Sequence, residues 1–178
     1  KLYSITHHDS PNIMKEIGRI RELTFRIAGG GTGEEIDIDK YDTCENPYHQ
    51  LIVWDPENKK IIGGYRYILC GNASRYENGD YMIATTKLFD FSDKFKEEYM
   101  PYTLELGRSF VHPDYQSGKI SGRKGIYTLD NLWDGIGVIV LENPEIKYFF
   151  GKVTMYLSFD QLARDLILFF MNKYFKDK

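Results

Sequence analysis

Apolar residues in this chain change their period several times, from 3.6 to two and back, and the order of those changes restricts the fold more than any bulk property. Ser10 to Ile27 reads as a helix: Pro11 suits a first turn, and Ile13, Ile17, Ile20 and Phe25 approximate one face. Gly29, Gly30, Gly31 and Gly33 break it and lead into an acidic stretch from Glu34 to Asp42. Leu51–Trp54 and Ile61–Leu69, parted by Pro56, Glu57 and Asn58, predict a hairpin. Lys87–Tyr99 predicts a helix with Leu88, Phe91 and Phe95 on one face, and Tyr102–Val111 a strand ended by His112 and Pro113. A glycine-studded basic loop, Ser117 to Gly125, precedes a helix over Ile126–Leu141, with Ile126, Leu129, Leu132, Trp133, Ile136 and Val140 on its apolar face. Phe149–Leu157 predicts another strand and Asp160–Phe175 a last, very apolar helix. This order describes an α/β sandwich, a mostly antiparallel central sheet flanked by helices. No repeat or linker interrupts it, so the expectation is a single domain over residues 1–178. A final helix with no strand after it predicts that a closing hairpin is missing from the C-terminal end.

Bulk properties then exclude several classes. The 178 residues, 42% hydrophobic and 28% charged, suit one soluble domain with a sizeable core. A net charge of −3 provides no basic field for nucleic acid. Cys44 and Cys70 are too few for a disulfide framework and too far apart for a CxxC site, which points to the reducing cytoplasm. No signal peptide is visible, and the first residue, Lys1, is consistent with trimming. The longest apolar run, Leu166 to Met171, is far below a bilayer span. The expectation is a soluble protein, with peripheral contact at the inner face of the membrane left open. Aromatic content is high, 14 Tyr and 11 Phe, as an aromatic-lined groove or ordinary ring burial would require.

Three constellations are chemically suggestive. Asp37, Asp39 and Asp42, preceded by Glu34 and Glu35, can fix an ammonium group, bind a hard cation or shift one another's pKa, and can equally form a solvated loop. An EF-hand loop is excluded, because Tyr41 and Asp42 stand where that loop needs an acidic residue or Asn and then Gly. Glu105 and Arg108 lie in Leu-Glu-Leu-Gly-Arg-Ser-Phe. Strand alternation sets Leu104 and Leu106 on one face and Glu105 on the other, while Gly107 permits a bulge. A carboxylate on a central strand is costly unless paired or used, and Arg66 is the expected partner, as a working or a purely structural ion pair. In the basic loop, Gly118, Gly122 and Gly125 free backbone N–H groups while Lys119, Arg123 and Lys124 add charge. That chemistry suits phosphate, or turn-making alone. His7, His8, His49 and His112 lack zinc spacing, so no metal site is expected.

Taken in order, Arg21-Glu-Leu-Thr-Phe25, Asp37-Ile-Asp39-Lys-Tyr-Asp42, Gly64-Tyr-Arg66 and Glu105-Leu-Gly-Arg108 resemble the acyl-homoserine-lactone synthases. The pattern is similar also to the ornithine- and glycine-lipid N-acyltransferases and to bacterial proteins labelled hemolysin-like GNAT acyltransferases. The resemblance runs from about Arg19 to the C-terminus. Lactone synthases commonly carry a tryptophan where this chain has Gly29 to Gly33, and Phe149 to Tyr156 looks closer to the lipid branch. The resemblance implies a GNAT fold whose central strands splay at the acyl-donor cleft. It also implies a long-chain, 3-hydroxy fatty acyl group delivered by acyl carrier protein or coenzyme A to an amino-acid amine, with no permanently bound cofactor. A short-chain N-acetyltransferase and a catalytically idle, hemolysin-like module are the alternatives.

With no activated Ser or Cys in view, the expected mechanism is direct transfer without a covalent enzyme intermediate, with Glu105 as general base, directly or through one water, and Arg108 beside it. Ser109, Phe110 and Val111 supply backbone N–H groups to the oxyanion, and the loop from Gly118 to Gly125 meets the donor phosphate or the acidic carrier. Arg21, Phe25, Asp37, Asp39, Asp42 and Arg66 form the acceptor pocket. There the acids meet the cationic end of the amine, and Arg66 and Arg108 hold its carboxylate or pin the acids.

Overall fold

The computed structural model describes residues 1–116 and 122–176, apart from the side chains of 122–125. Helix α1 (Pro11–Ile27) begins on Ser10 and buries Met14, Ile17, Ile20, Arg21 and Thr24, a stripe at helical spacing. Gly29, at φ 88, and a bond from the Gly30 amide to the Phe25 carbonyl close it. A short helix, α2 (Lys40–Thr43), starts on Asp39, whose carboxylate accepts from the Tyr41 and Asp42 amides, while Asp42 accepts from the Asp39 amide.

Five strands form the sheet: β1 (Leu2–Ile5), β2 (His49–Asp55), β3 (Lys60–Leu69), β4 (Thr103–Val111) and β5 (Tyr148–Gly151), in the order β1-β2-β3-β4-β5. The first three pairings are antiparallel and β4–β5 is parallel. Helix α3 (Gly122–Glu142) covers one face, packing Leu132, Ile136 and Ile139 on Leu51, Val53 and Leu104. On the other face Met14, Ile17 and Ile20 of α1 meet Ile52, Ile61 and Phe110. Each fully buried aliphatic of this kind stabilises the fold by about 1.5–3 kcal/mol. A third cluster, including Tyr41, Tyr48, Ile68, Cys70, Ile83 and Met100, fills the space near α2. Helix α4 (Gln161–Tyr174) leaves Leu162, Ile167, Phe169 and Phe170 exposed. Among the described residues no helix is long and apolar enough to cross a membrane.

The sandwich with a mostly antiparallel sheet is as the sequence leads one to expect, and several local expectations are corrected. β1 lies before the first element that the sequence announces, and it pairs with β2 from Leu2–Val53 to Ile5–Gln50. Residues 88–92 are not helical: the Ser92 hydroxyl accepts from the Phe95 amide, so the helical turn starts late and ends as a π-turn over Phe95–Tyr99. β5 stops at Gly151 rather than Leu157. The basic loop is shorter than read, since Gly122 to Gly125 already belong to α3. The buried face of α3 is also rotated, leaving Ile126, Leu129 and Trp133 exposed. Gly135 explains the rotation: a Cβ there would stand 2.8 Å from the Leu51 side chain, so α3 lies against the sheet on its glycine side.

Candidate active site

Two strand features shape the site. β3 and β4 lose register between Gly64 and Arg66, so Arg108 and Ser109 together oppose Tyr65 in a β-bulge. The left-handed residue is Arg108, at φ 49, and not Gly107, which was the expected pivot. A non-glycine residue held there stores backbone strain, and the bulge aims the Arg108 side chain toward Asp37. β5 follows β4 only from Thr103 to Leu106, so among the described residues no strand pairs with Gly107 to Val111 on that side. The β4–β5 pairing ends at this point, where the resemblance implied a splay.

Next to the bulge lies a cluster of three guanidiniums and three carboxylates. Arg21 is fully buried; its Nε donates to Asp37 at 3.3 Å, its Nη2 to Asp42 at 3.0 Å and its Nη1 to Gln50 at 3.3 Å. Arg66 donates to Asp39 at 2.8 Å and to Asp42 at 3.3 Å, with its guanidinium over the Tyr48 ring. Arg108 Nε stands 3.0 Å from Asp37, near the Phe25 ring. Burial alone would push the Asp42 carboxyl up, but Arg21 and Arg66 outweigh it and hold it below the usual range. Burial pulls Arg108 down, with Arg66 and Arg21 adding to the effect against Asp37. The solvated-loop reading therefore holds for Glu34 and Glu35, which are exposed, and fails for Asp37 and Asp42, which are not. The guanidiniums engage Asp37 Oδ2, Asp39 Oδ2 and both oxygens of Asp42. Only Arg108 and Asp39, 31% and 30% exposed, reach the surface together.

Glu105 does not pair with Arg66, contrary to expectation. Its strand neighbour is Ile68, while Arg66 lies opposite Gly107 and turns to Asp39 and Asp42. The Glu105 carboxyl is 2% exposed and its Oε2 has no hydrogen-bond partner among the described residues. Burial pushes its pKa up; the Tyr48 and Thr85 hydroxyls and the charge of Arg66 temper the shift without supplying Oε2 an aligned donor. The shift propagates, as burial and the Glu105 charge push the Cys70 thiol up to about 12. Tyr48, Gln50, Cys70 and Thr85 escaped the sequence reading because none carries a local motif; only tertiary packing brings them here.

The other expected residues are dispersed. Ser109 is exposed past the end of the β4–β5 pairing, Phe110 is buried in the core beneath α1, and Val111 packs toward α3. Gly118 and Lys119 lie outside the described residues. Gly122 and Gly125 are in the first turns of α3, with Arg123 and Lys124 between them, whose side chains are not described.

Glu22 was not singled out by sequence, yet it organises the glycine loop. It accepts from the Thr32 hydroxyl and amide, the Gly33 amide and Arg26. The Thr32 hydroxyl, helped by its amide and the Arg26 guanidinium against burial, brings the Glu22 pKa down to about 2. A depressed carboxyl contributes its clasp above the ordinary Glu value and loses it as pH falls toward 2. Glu22→Ala is therefore expected to raise amide exchange at Thr32 and Gly33 about tenfold or more at neutral pH. Unchanged exchange would mean that the loop holds its shape without the clasp.

Comparison with known proteins places this geometry. Residues 20–123 match the family described as Acetyltransferase (GNAT) domain. A glycine N(alpha)-acyltransferase of Phocaeicola vulgatus is 56% identical over all of this chain and 54% of its own length. One of the same name from Bacteroides thetaiotaomicron is 55% identical, over all of this chain and 52% of its own length. An L-ornithine N(alpha)-acyltransferase of Brucella abortus is 29% identical, over 70% of this chain and 44% of its own length. The chain spans about half the length of the curated relatives it matches.

Proposed function

Because the chain belongs to the acetyltransferase (GNAT) domain family, we propose that it carries the transfer site of an N-acyltransferase acting on an amino acid, glycine foremost. The donor in this reading is a long-chain, 3-hydroxy fatty acyl thioester of acyl carrier protein or coenzyme A, and the product an amino-acid-containing lipid.

One observation carries the reading: a buried carboxyl with an unpartnered oxygen, Glu105, on the same strand as the half-exposed Arg108 beside Asp39. A guanidinium next to a carboxylate matches the two ends of an amino-acid zwitterion. Arg108 would take the acceptor carboxylate and Asp39 its ammonium, while Arg21, Arg66 and Asp42 hold both in place. An ammonium cannot attack a thioester. Glu105, whose pKa burial raises above the ordinary Glu value and so makes a stronger base than an ordinary carboxylate, would take the proton through one water. The free amine then attacks the thioester carbonyl, and backbone N–H groups of Ser109 to Val111 stabilise the oxyanion. Collapse expels the thiolate, which takes up the proton shed by the newly acylated nitrogen, and Glu105 returns its own proton to water.

A single-turnover assay tests this directly. A long-chain acyl carrier protein is offered with glycine, ornithine or lysine, and products are read by mass spectrometry. N-acylglycine would support the reading; turnover of acetyl-coenzyme A alone would replace it with short-chain acetylation. Neutralising Lys119, Arg123 and Lys124 together is expected to lower carrier-protein affinity and its salt dependence, leaving the single-turnover rate at saturation unchanged.

A further inference from the structure

A cavity that shares no lining residue with the guanidinium–carboxylate cluster runs along α1. It measures about 850 Å³. Its α1 wall extends from Ser10 to Leu23, about 20 Å at helical rise. Ile20, Ile52 and Ile61 are nearly fully buried at its base, while Tyr3, Ile13 and Leu23 leave apolar surface open to it. An elongated apolar cleft of this volume is the shape of a ligand site rather than a packing defect.

The cleft also has a donor-rich border. His112 is 8% exposed and lines it; its Nδ1 accepts from the Asp114 amide, which puts the neutral ring's proton on Nε2. Nε2 has no partner among the described residues. Lys59 adds a cation that forms no ion pair among the described residues. The two carboxylates on the border are already neutralised, Glu16 by Arg19 at 2.8 Å and Asp114 by Lys60 at 3.4 Å.

We propose that this groove binds a single-chain amphiphile, a long acyl chain ending in a carboxylate. The chain lies along α1 over Ile20, Ile52 and Ile61, and the carboxylate meets His112 and Lys59. A free fatty acid and an N-acyl amino acid share that chemistry. The assignment does not depend on the transfer reaction proposed above, and failure of the transfer assay would leave it standing.

The test titrates the full chain, carrying Trp133→Phe so that Trp54 in the groove is the sole indole reporter, with palmitate, N-palmitoylglycine and methyl palmitate. At least one acid is expected to bind, more tightly than the uncharged ester. Leu23→Glu and Ile13→Glu alter partly exposed positions, so both should keep the wild-type circular dichroism while weakening binding about tenfold or more. Lys59→Glu should weaken only the acids. Binding of palmitate alone would identify a fatty-acid site, and of N-palmitoylglycine alone a site for the acylated amino acid. Absence of binding by both acids overturns the proposal. So does binding that neither groove variant changes.

Discussion

Glu105→Gln is expected to lose about 100-fold or more in turnover, the usual scale for removing a general base, while remaining folded. The amide keeps the size of the carboxyl and removes only the ability to take a proton. Stability separates this from damage. A carboxyl whose folded pKa lies above its unfolded value binds more protons when folded, so it costs stability as pH rises between the two values. Glutamine does not pay that cost, and the variant should melt no lower than the parent at neutral pH. The pH dependence gives a second readout. In the parent, kcat/KM should fall on acidification through a pKa above the ordinary Glu range, and the residual rate of the variant should lack that limb. Near-parental turnover would remove Glu105 from the chemistry.

Arg21→Met should lower stability by about 3–5 kcal/mol, the scale for stripping one partner from a buried ionic cluster. Arg21 reaches no solvent, and its loss takes the closest counter-charge from Asp42 and leaves Asp37 with Arg108 alone. The loss should also depend on pH. Asp42 is held below its ordinary pKa, so its contribution is complete above the ordinary Asp value and is lost as pH falls through the depressed one. The gap between parent and variant, read from urea midpoints, should therefore be widest near neutrality and close in acid. A constant gap from neutral pH to strong acid would show that Arg21 acts by packing volume instead. Arg21→Lys should recover part of the loss, because an ammonium restores charge without the fork that spans Asp37, Asp42 and Gln50.

Long periodic stretches made most of the fold legible. α1, the β2–β3 hairpin, β4 and α3 each bury a regular pattern, and alternation alone separated Glu105 from Leu104 and Leu106. Four residues of β1 are too few to establish a period, and its pairing is set by β2 rather than by its own sequence. Within the site, Asp37, Asp39, Asp42 and Arg66 were visible as an ordered motif. Their pairing was not, because a one-residue bulge decides which charges meet, and strand alternation cannot foresee it. Gly107 drew attention as the flexible residue, yet the strain falls on Arg108, whose long side chain is tethered to Asp37. The unpartnered oxygen of Glu105 is likewise a property of packing, since it depends on what β2 and the loop at Thr85 bring close and what they leave out.

The span of the ionic cluster bears on the order in which the chain assembles. Partners of Arg21 stand 16, 21 and 29 residues away, and Arg66 reaches back 24 and 27 residues to Asp42 and Asp39. Until α1, β2 and β3 have docked, hydrated charges gain nothing by meeting, so these contacts are expected to form after the rate-limiting barrier, with φ-values near zero at Arg21 and Arg66. Interactions absent from the transition state act on the escape rate from the native state, not on the speed of reaching it. Evolutionary change within this cluster would thus tune how long each folded molecule lasts, while leaving the time it needs to fold almost untouched.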